Sequence, residues 1–550
     1  MVYRIALLLV VLLAVVAGTV PVRFERVADA ALAAVIGHAG WLYLLIVFLT
    51  LAFLAWLAFG PFAKLRIGGE DAEPEFSGTA WLAMLFAAGM GIGLVFWGAA
   101  EPVSHLVQPP EGLPPDTPQA ARAAMRYTFF HWGLHPWAIY ALMGLAIAWF
   151  QYNRGGRGLV SDLLQPLIGE RHRGWPGRVV DIVAVVATAI GVATTLGFGT
   201  MQISAGMARV FGLPSGLGMQ LAVIGSCFVL YMASSASGVD RGIKWLSTFN
   251  LALAGVLLVA VALLGPTGFV FETFTTSLGS YLSRLVEMSL AMTPFSGSSW
   301  VADWTIFYWA WWISWSPFVG TFIARVSYGR SVREFILGVV AVPSLLGFAW
   351  FSTFGGAALW AHIFGGLDMA GALAAGYETV LFAMYQGLPF PGLLSGLSIL
   401  LLVIFFVTSA DSAVLVLGSM SSEEAGDPPL ARKFAWGVAI ALVAAALLVA
   451  GGLQALQTLI TVVALPFALL LVGVMVGLQR VLGTEALRQK AVERRARRAI
   501  EDWILREQAG REGAGPAGAG AGKGEAPAGA GASAEPAVID EGRTGGPRTP

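Results

Sequence analysis

The chain has a single cysteine, Cys227, in 550 residues, which excludes a disulfide framework and a thiolate metal cluster. Charge is scarce as well. Only 12% of the residues are charged, against roughly 25% in an ordinary soluble domain. Positive and negative residues balance at 33 each, so no basic surplus exists to neutralise phosphates, and nucleic acid is not an expected partner. What remains is apolar: 57% hydrophobic residues, a mean hydropathy of +0.74, 68 Gly and 19 Trp. That combination belongs to membrane helices rather than to water-soluble cores. The expected class is an all-α polytopic membrane protein, with the lipid bilayer as its solvent.

Runs of about 20 apolar residues are long enough to cross a bilayer. Twelve are present, centred near residues 12, 51, 88, 138, 194, 226, 254, 315, 345, 404, 441 and 467. The first, Met1–Val16, also has the look of a signal peptide, but no clean cleavage site follows and it is kept as a span. With the N-terminus inside, 27 of the 33 Lys and Arg fall in inside segments. Such asymmetry supports twelve spans, both termini cytoplasmic, in a plasma (inner) membrane. Beyond the last span, Val492, Ala496, Ile500, Trp503 and Ile504 recur at helical spacing beside Arg494, Arg495, Arg497 and Arg498. Either a lipid-binding amphipathic helix or a solvated charged helix fits this pattern. From Gly513 to Pro550 the chain is dominated by Gly, Ala and Pro, and is expected to be disordered.

Two spans carry helix breakers at their middles. The third reads Ala87-Ala88-Gly89-Met90-Gly91-Ile92-Gly93, and the eighth reads Ser314-Trp315-Ser316-Pro317-Phe318. Glycine weakens a helix and proline removes an amide donor. Each interrupted span opens a block of five, and an odd number of spans inverts one block relative to the other. Broken helices at matching positions of inverted halves point to a transporter with its site at the midplane. Close helix packing and a simple kink are the blander explanations.

Aromatic residues crowd two places: Trp132, Trp137 and Tyr140 in the fourth span, and Trp309, Trp311, Trp312 and Trp315 in the eighth. Membrane Trp normally anchors at the interface, but four within seven residues beside a break exceed that need. Several indole faces around one cavity suit a cation that has no hydrogen to donate, a quaternary ammonium group. His131 and His135 stand four apart, as helical metal ligands do, yet no third ligand is evident and packing is the expected role. In the tenth span Thr408, Ser409 and Asp411 put oxygens at bilayer depth. Asp411 there is expected to be functional or partnered. No nucleophile–base pair or metal cluster stands at that depth, so an enzyme is not expected.

Three segments carry a resemblance to the betaine/carnitine/choline transporter family, over essentially all of residues 1–485. They are the glycine segment followed by Phe96-Trp97-Gly98-Ala99-Ala100-Glu101-Pro102, the stretch His131-Trp132-Gly133-Leu134-His135 through Tyr140, and the run from Asp303-Trp304 through Trp312 to Arg330. The resemblance implies a LeuT-type 5+5 inverted-repeat core preceded by two extra helices, assembled as a homotrimer. The divisions are then 1–78 for the two extra helices and first cytoplasmic loop, and 79–265 for the first repeat. An external amphipathic connection occupies 266–303, the second repeat 304–483, a cytoplasmic amphipathic helix 484–512 and the tail 513–550. It implies a trimethylammonium cage at Trp132, Trp137, Tyr140 and Trp312, with Trp315 on the access path. The amides around Gly89, Gly91 and Gly93 are expected to hold the substrate's carboxylate. Sodium, as coupling ion, is implied at the Ala87, Met90 and Phe405 carbonyls and the Thr408 and Ser409 hydroxyls, with no other cofactor. A second sodium would use Thr188 and Phe318, but Val192 stands where a further hydroxyl is needed. The expected function is sodium-coupled import of a betaine-like zwitterion, with a sodium-independent carnitine/betaine exchanger or a choline transporter as alternatives. Choline carriers of the family tend to place Asp at the position of Gly93, which favours a zwitterion here.

Overall fold

The computed structural model describes residues 1–89, 91–237, 240–422 and 426–513. Among these, the secondary structure is helical apart from one antiparallel bridge between Arg66 and Ser331. The principal helices are α1 (Val2–Thr19), α2 (Pro21–Phe59), α3 (Gly78–Gly89), α4 (Ile92–Val107), α5 (Pro118–Trp132), α6 (Leu134–Ala148), α7 (Trp175–Phe211) and α8 (Leu217–Ser237). They continue with α9 (Asp240–Leu264), α10 (Thr267–Ser283), α11 (Phe307–Val326), α12 (Val332–Ile363), α13 (Pro391–Met420), α14 (Leu430–Gly451) and α15 (Leu453–Gly513). Among the described residues, ten helical stretches are long and apolar enough to cross a membrane. The third and eighth expected spans are not among them. One is divided into α3 and α4, and the other, α11, is a 20-residue helix weighted with Trp and Ser. At 39 residues α2 is about 58 Å long, roughly twice the hydrocarbon thickness, so part of it extends beyond the bilayer core.

The break expected in the third span is present. Gly91 is fully extended (φ −166°, ψ −179°) between the end of α3 and the start of α4. Met90, one of the expected sodium ligands, lies outside the described residues.

The break expected in the eighth span is absent, and α11 runs unbroken through Pro317. Proline takes an amide donor away from the carbonyl four residues earlier, which is that of Ile313. Ser316 replaces it, its hydroxyl donating to the Ile313 carbonyl at 2.7 Å. The chain breaks instead in the fourth span, at Gly133 (φ −95°, ψ −128°) between α5 and α6.

The first compact unit comprises Met1–Leu487. At its centre α11 packs along α6, with α12 against α4 and α6, and α7 against α13. Small residues make the α6–α11 approach possible. A Cβ added to Gly320 would lie 2.9 Å from the Met143 Cβ and 3.0 Å from the Gly144 nitrogen. In lipid, where apolar burial gives helices no net drive to associate, such close contact supplies the attraction. The amphipathic connection expected after residue 266 contains α10, which lies on α5 and α12. The second unit begins at Arg488, and its described part is helical to Gly513. Val492, Ile500 and Trp503 are exposed there, leaving an uncovered apolar stripe. The expected tail lies outside the described residues from 514 onward.

Candidate functional site

The break at Gly133 places Trp132 at the last turn of α5 and Trp137 and Tyr140 in the first two turns of α6, where they meet α11. Trp132 and Trp312 stand edge to face with ring centroids 4.8 Å apart. Tyr140 is edge-on to Trp312 at 6.2 Å and to Trp137 at 5.4 Å. The four expected cage residues therefore form one contiguous group. All four are buried, with Trp132 at 8%, Trp137 at 7%, Tyr140 at 5% and Trp312 at 6% exposure, as Trp304 nearby is at 6%, while Trp309 has 0% and Trp311 1%. Hydrogen bonds hold the indoles in place. Trp312 Nε1 donates to the His131 carbonyl at 3.0 Å, and Trp311, stacked on Trp312 at 4.6 Å, donates to Thr195 Oγ1 at 3.0 Å.

The start of α4 borders this group. A Cβ on Gly93 would come within 2.8 Å of Trp311 Cη2 and 2.9 Å of Trp132 Cη2, so only glycine lets the two rings approach the backbone. A Cβ on Gly91 would meet nothing within 4 Å. No side chain caps α4 and no acidic residue occupies its first turn. Its first amides lack intrahelical partners and carry the positive end of the helix dipole, which suits a carboxylate. Gly89, the last residue of α3, ends on the other side of the break. Cation-attracting ring faces and free amides thus lie beside each other.

The remaining expected residues are placed differently. Trp315 lies against Gly191 of α7 and is edge-on to Phe318 at 5.2 Å, apart from the four rings. Thr408 bonds its own backbone, at 2.9 Å from the Ile404 carbonyl and 3.4 Å from that of Phe405, and Ser409 beside it is half-buried. Ala87 on α3 is exposed, and α3 packs mainly on α11 and α12 rather than on α13. Thr188 is fully buried and its hydroxyl has no hydrogen-bond partner among the described residues; the same holds for Thr194. In a membrane helix a lone hydroxyl normally bonds back to its own turn, as Thr195 and Thr200 do.

His131 and His135 do not share a ligand. His135 Nε2 pairs with Ser289 Oγ at 2.8 Å and its ring stacks on Trp309, while His131 turns to Glu101 and Thr305. Asp411 is partnered by the Ser234 hydroxyl at 3.0 Å. The sequence reading gave no role to Glu101 or His105. Their signal was a carboxylate inside an apolar run with a histidine four residues on. Glu101, His105 and His131 offer ligand atoms within 4.8 Å of one another, but hydrogen bonds already join them. Also unforeseen is a cavity of about 640 Å³ among the ends of α7 and the segment 367–386, lined by Arg209, Glu378, Ser204 and Met201. Burial raises the pKa of the Glu378 carboxyl above its ordinary value. Met201 is one helical turn from Phe198, whose ring meets that of Trp311 at 5.1 Å.

Comparison with known proteins identifies the family. The model of the betaine/carnitine/choline family transporters matches residues 1–487. An ectoine/hydroxyectoine transporter of Virgibacillus pantothenticus is 44% identical over 88% of this chain and 96% of its own length. A glycine betaine transporter of Bacillus subtilis (strain 168) is also 44% identical, over 86% of this chain and 92% of its own. Among solved structures, a Na+-coupled sialic acid symporter in a substrate-bound outward-open state is 13% identical with a TM-score of 0.46, covering 78% of this chain and 85% of that one. The chain therefore belongs to the betaine/carnitine/choline transporter family, and is a multi-pass membrane transporter rather than an enzyme.

Proposed function

We propose that this transporter imports a betaine-like zwitterion across the plasma membrane, coupled to sodium, by alternating access between two inverted five-helix blocks. The observation that carries it is the group Trp132, Trp137, Tyr140 and Trp312 beside the uncapped start of α4. A trimethylammonium group has no proton to donate, so ring faces are its natural partners, and each desolvated contact is worth about 2 kcal/mol. The carboxylate at the other end of the molecule meets the free amides at Gly91–Gly93. The zwitterion brings its own counter-charge, and relatives named for glycine betaine and ectoine transport fit such a substrate.

Sodium is assigned to the Phe405 carbonyl and the Thr408 and Ser409 hydroxyls of α13; α3 packs mainly on α11 and α12 rather than on α13 here, so the Ala87 carbonyl joins them only in another state of the transport cycle. The unpartnered Thr188 hydroxyl keeps a second ion position open despite Val192. The cavity lined by Arg209 and Glu378 lies on the face that charge asymmetry assigns to the outside, and one turn of α7 separates it from Phe198. It serves as the entrance to the cage. Uptake of labelled glycine betaine into proteoliposomes, with an inward sodium gradient and without it, tests the assignment. Concentrative uptake only with the gradient, competed by ectoine or carnitine according to fit, is expected. Equal accumulation in sodium-free buffer would exclude sodium coupling and favour exchange.

A further inference from the structure

Helix α4 carries one carboxylate, Glu101, in its run of buried residues, and that side chain is wholly enclosed. An ionised carboxylate at such depth is costly unless it is well partnered. Both of its oxygens are. Oε1 lies 2.7 Å from His131 Nδ1 and 3.2 Å from His105 Nε2, while Oε2 accepts from Trp132 Nε1 at 2.7 Å and from the Tyr308 hydroxyl at 2.5 Å.

Neutral rings satisfy the contacts of both histidines. With its proton on Nδ1, His131 donates to Glu101 and accepts at Nε2 from the Thr305 hydroxyl, 3.0 Å away. With its proton on Nε2, His105 donates to Glu101 and leaves at Nδ1 a lone pair that meets no partner among the described residues. Among the described residues, no Lys or Arg pairs with Glu101. Four donors converging on two oxygens is the arrangement an ionised carboxylate takes, and on that reading no cation offsets it.

That charge is applied to the cage. Trp132 is one of its walls. Tyr308 is stacked on Trp312 at 5.8 Å and 21° and is edge-on to Trp132 at 5.6 Å. An indole N–H donating to an anion shifts electron density onto its ring, and the ring's negative face is what attracts a cation. We propose that Glu101 is the buried counter-charge of the cage, a positioning residue that acts through Trp132 to raise affinity for the substrate's cationic end. The proposal rests on the cage assignment above, and the alternative is a bracket that merely ties α4, α5 and α11 together.

A ligand pair separates the two roles. In 3,3-dimethylbutanoate a tert-butyl group replaces the trimethylammonium of glycine betaine with nearly the same shape and no cation. Affinities of both are measured by competition on the full-length protein in nanodiscs. Glu101→Gln keeps the outline and one acceptor oxygen, and is expected to weaken glycine betaine about tenfold, the scale of one charge in a medium of intermediate dielectric. It should change dimethylbutanoate less than twofold. Equal weakening of both, or of neither, overturns the proposal. Should the Gln variant not fold, Tyr308→Phe gives a second test. It strips one donor from Oε2 and leaves the charge, so preference for glycine betaine over the carbon analogue should hold or grow; a fall in that preference overturns the proposal. Trp312→Ala is assayed alongside. If it leaves glycine betaine binding intact, the cage itself is refuted, whatever Glu101 does.

Discussion

The Ser316 hydroxyl occupies the position of the missing Pro317 amide, donating to the Ile313 carbonyl at 2.7 Å. Proline in a membrane helix leaves an acceptor without a donor, and no water is at hand to serve it. A neighbouring hydroxyl restores the bond and keeps α11 continuous, so that Trp311, Trp312 and Trp315 stay on one helix.

Ser316→Ala should therefore destabilise the protein by about 1–2 kcal/mol, the cost of an unsatisfied buried carbonyl. Pro317→Ala restores the amide and should make the serine redundant. Thermal unfolding in detergent measures both. A double variant no more stable than Ser316→Ala would show that the hydroxyl serves some other end.

Trp312 touches both Trp132 and Tyr140, so its removal opens the centre of the cage. Trp312→Ala should lose about 2 kcal/mol of cation–π attraction, equivalent to an affinity about thirtyfold weaker. Calorimetric titration with glycine betaine reads it directly. Unchanged affinity would mean that the cation sits elsewhere.

The two chain breaks show what sequence pattern conveys. Three glycines at alternate positions announced the interruption at Gly91 because each weakens a helix by itself. Gly133 is a single glycine between Trp132 and Leu134, where a Cβ would fall 2.5 Å from the Phe129 carbonyl oxygen and 2.7 Å from the Phe348 ring, and the second of these contacts is tertiary. Pro317 misled in the opposite direction, since Ser316 cancels the defect. The aromatic group was legible because its side chains cluster in the chain itself, whereas the choice of Trp132, Trp137, Tyr140 and Trp312 among them came from the family resemblance. Glu101 was legible only as an oddity. Of its four partners, His105 is one turn away in the same helix, whereas His131, Trp132 and Tyr308 come from helices that folding alone brings near.

The ion positions make a contrast that kinetics can resolve. Thr408→Ala with Ser409→Ala should raise the sodium concentration for half-maximal uptake and leave substrate affinity at saturating sodium little changed. Thr188→Val keeps the shape and deletes a hydroxyl that has no protein partner. If that hydroxyl serves no ion, Thr188→Val should be neutral or stabilising, because an unmade buried hydrogen bond disappears. If it is an ion ligand, the Hill coefficient for sodium should fall. A Thr408/Ser409 variant with wild-type sodium activation would displace the first ion from α13.

Gly93 offers a test of zwitterion against simple cation. Gly93 brings no carboxylate to the rings, and Glu101 reaches them only from behind, through the Trp132 indole N–H. Direct pairing of the cation is thus left to the substrate's own carboxylate, and the wild-type protein should carry glycine betaine in preference to choline. Gly93→Asp adds a charge, but its Cβ also presses on Trp311 and Trp132, at 2.8 and 2.9 Å before adjustment. Overpacking of that kind costs about 1–3 kcal/mol and weakens any ligand. Gly93→Ala isolates this steric part. The charge is therefore read as the ratio of choline to betaine uptake in the Asp variant relative to the Ala variant. A higher ratio in Gly93→Asp is expected, because the new carboxylate supplies the counter-ion that choline lacks. Equal ratios, or wild-type protein that takes up both compounds alike, would show that Gly93 serves only the close approach of the two indoles.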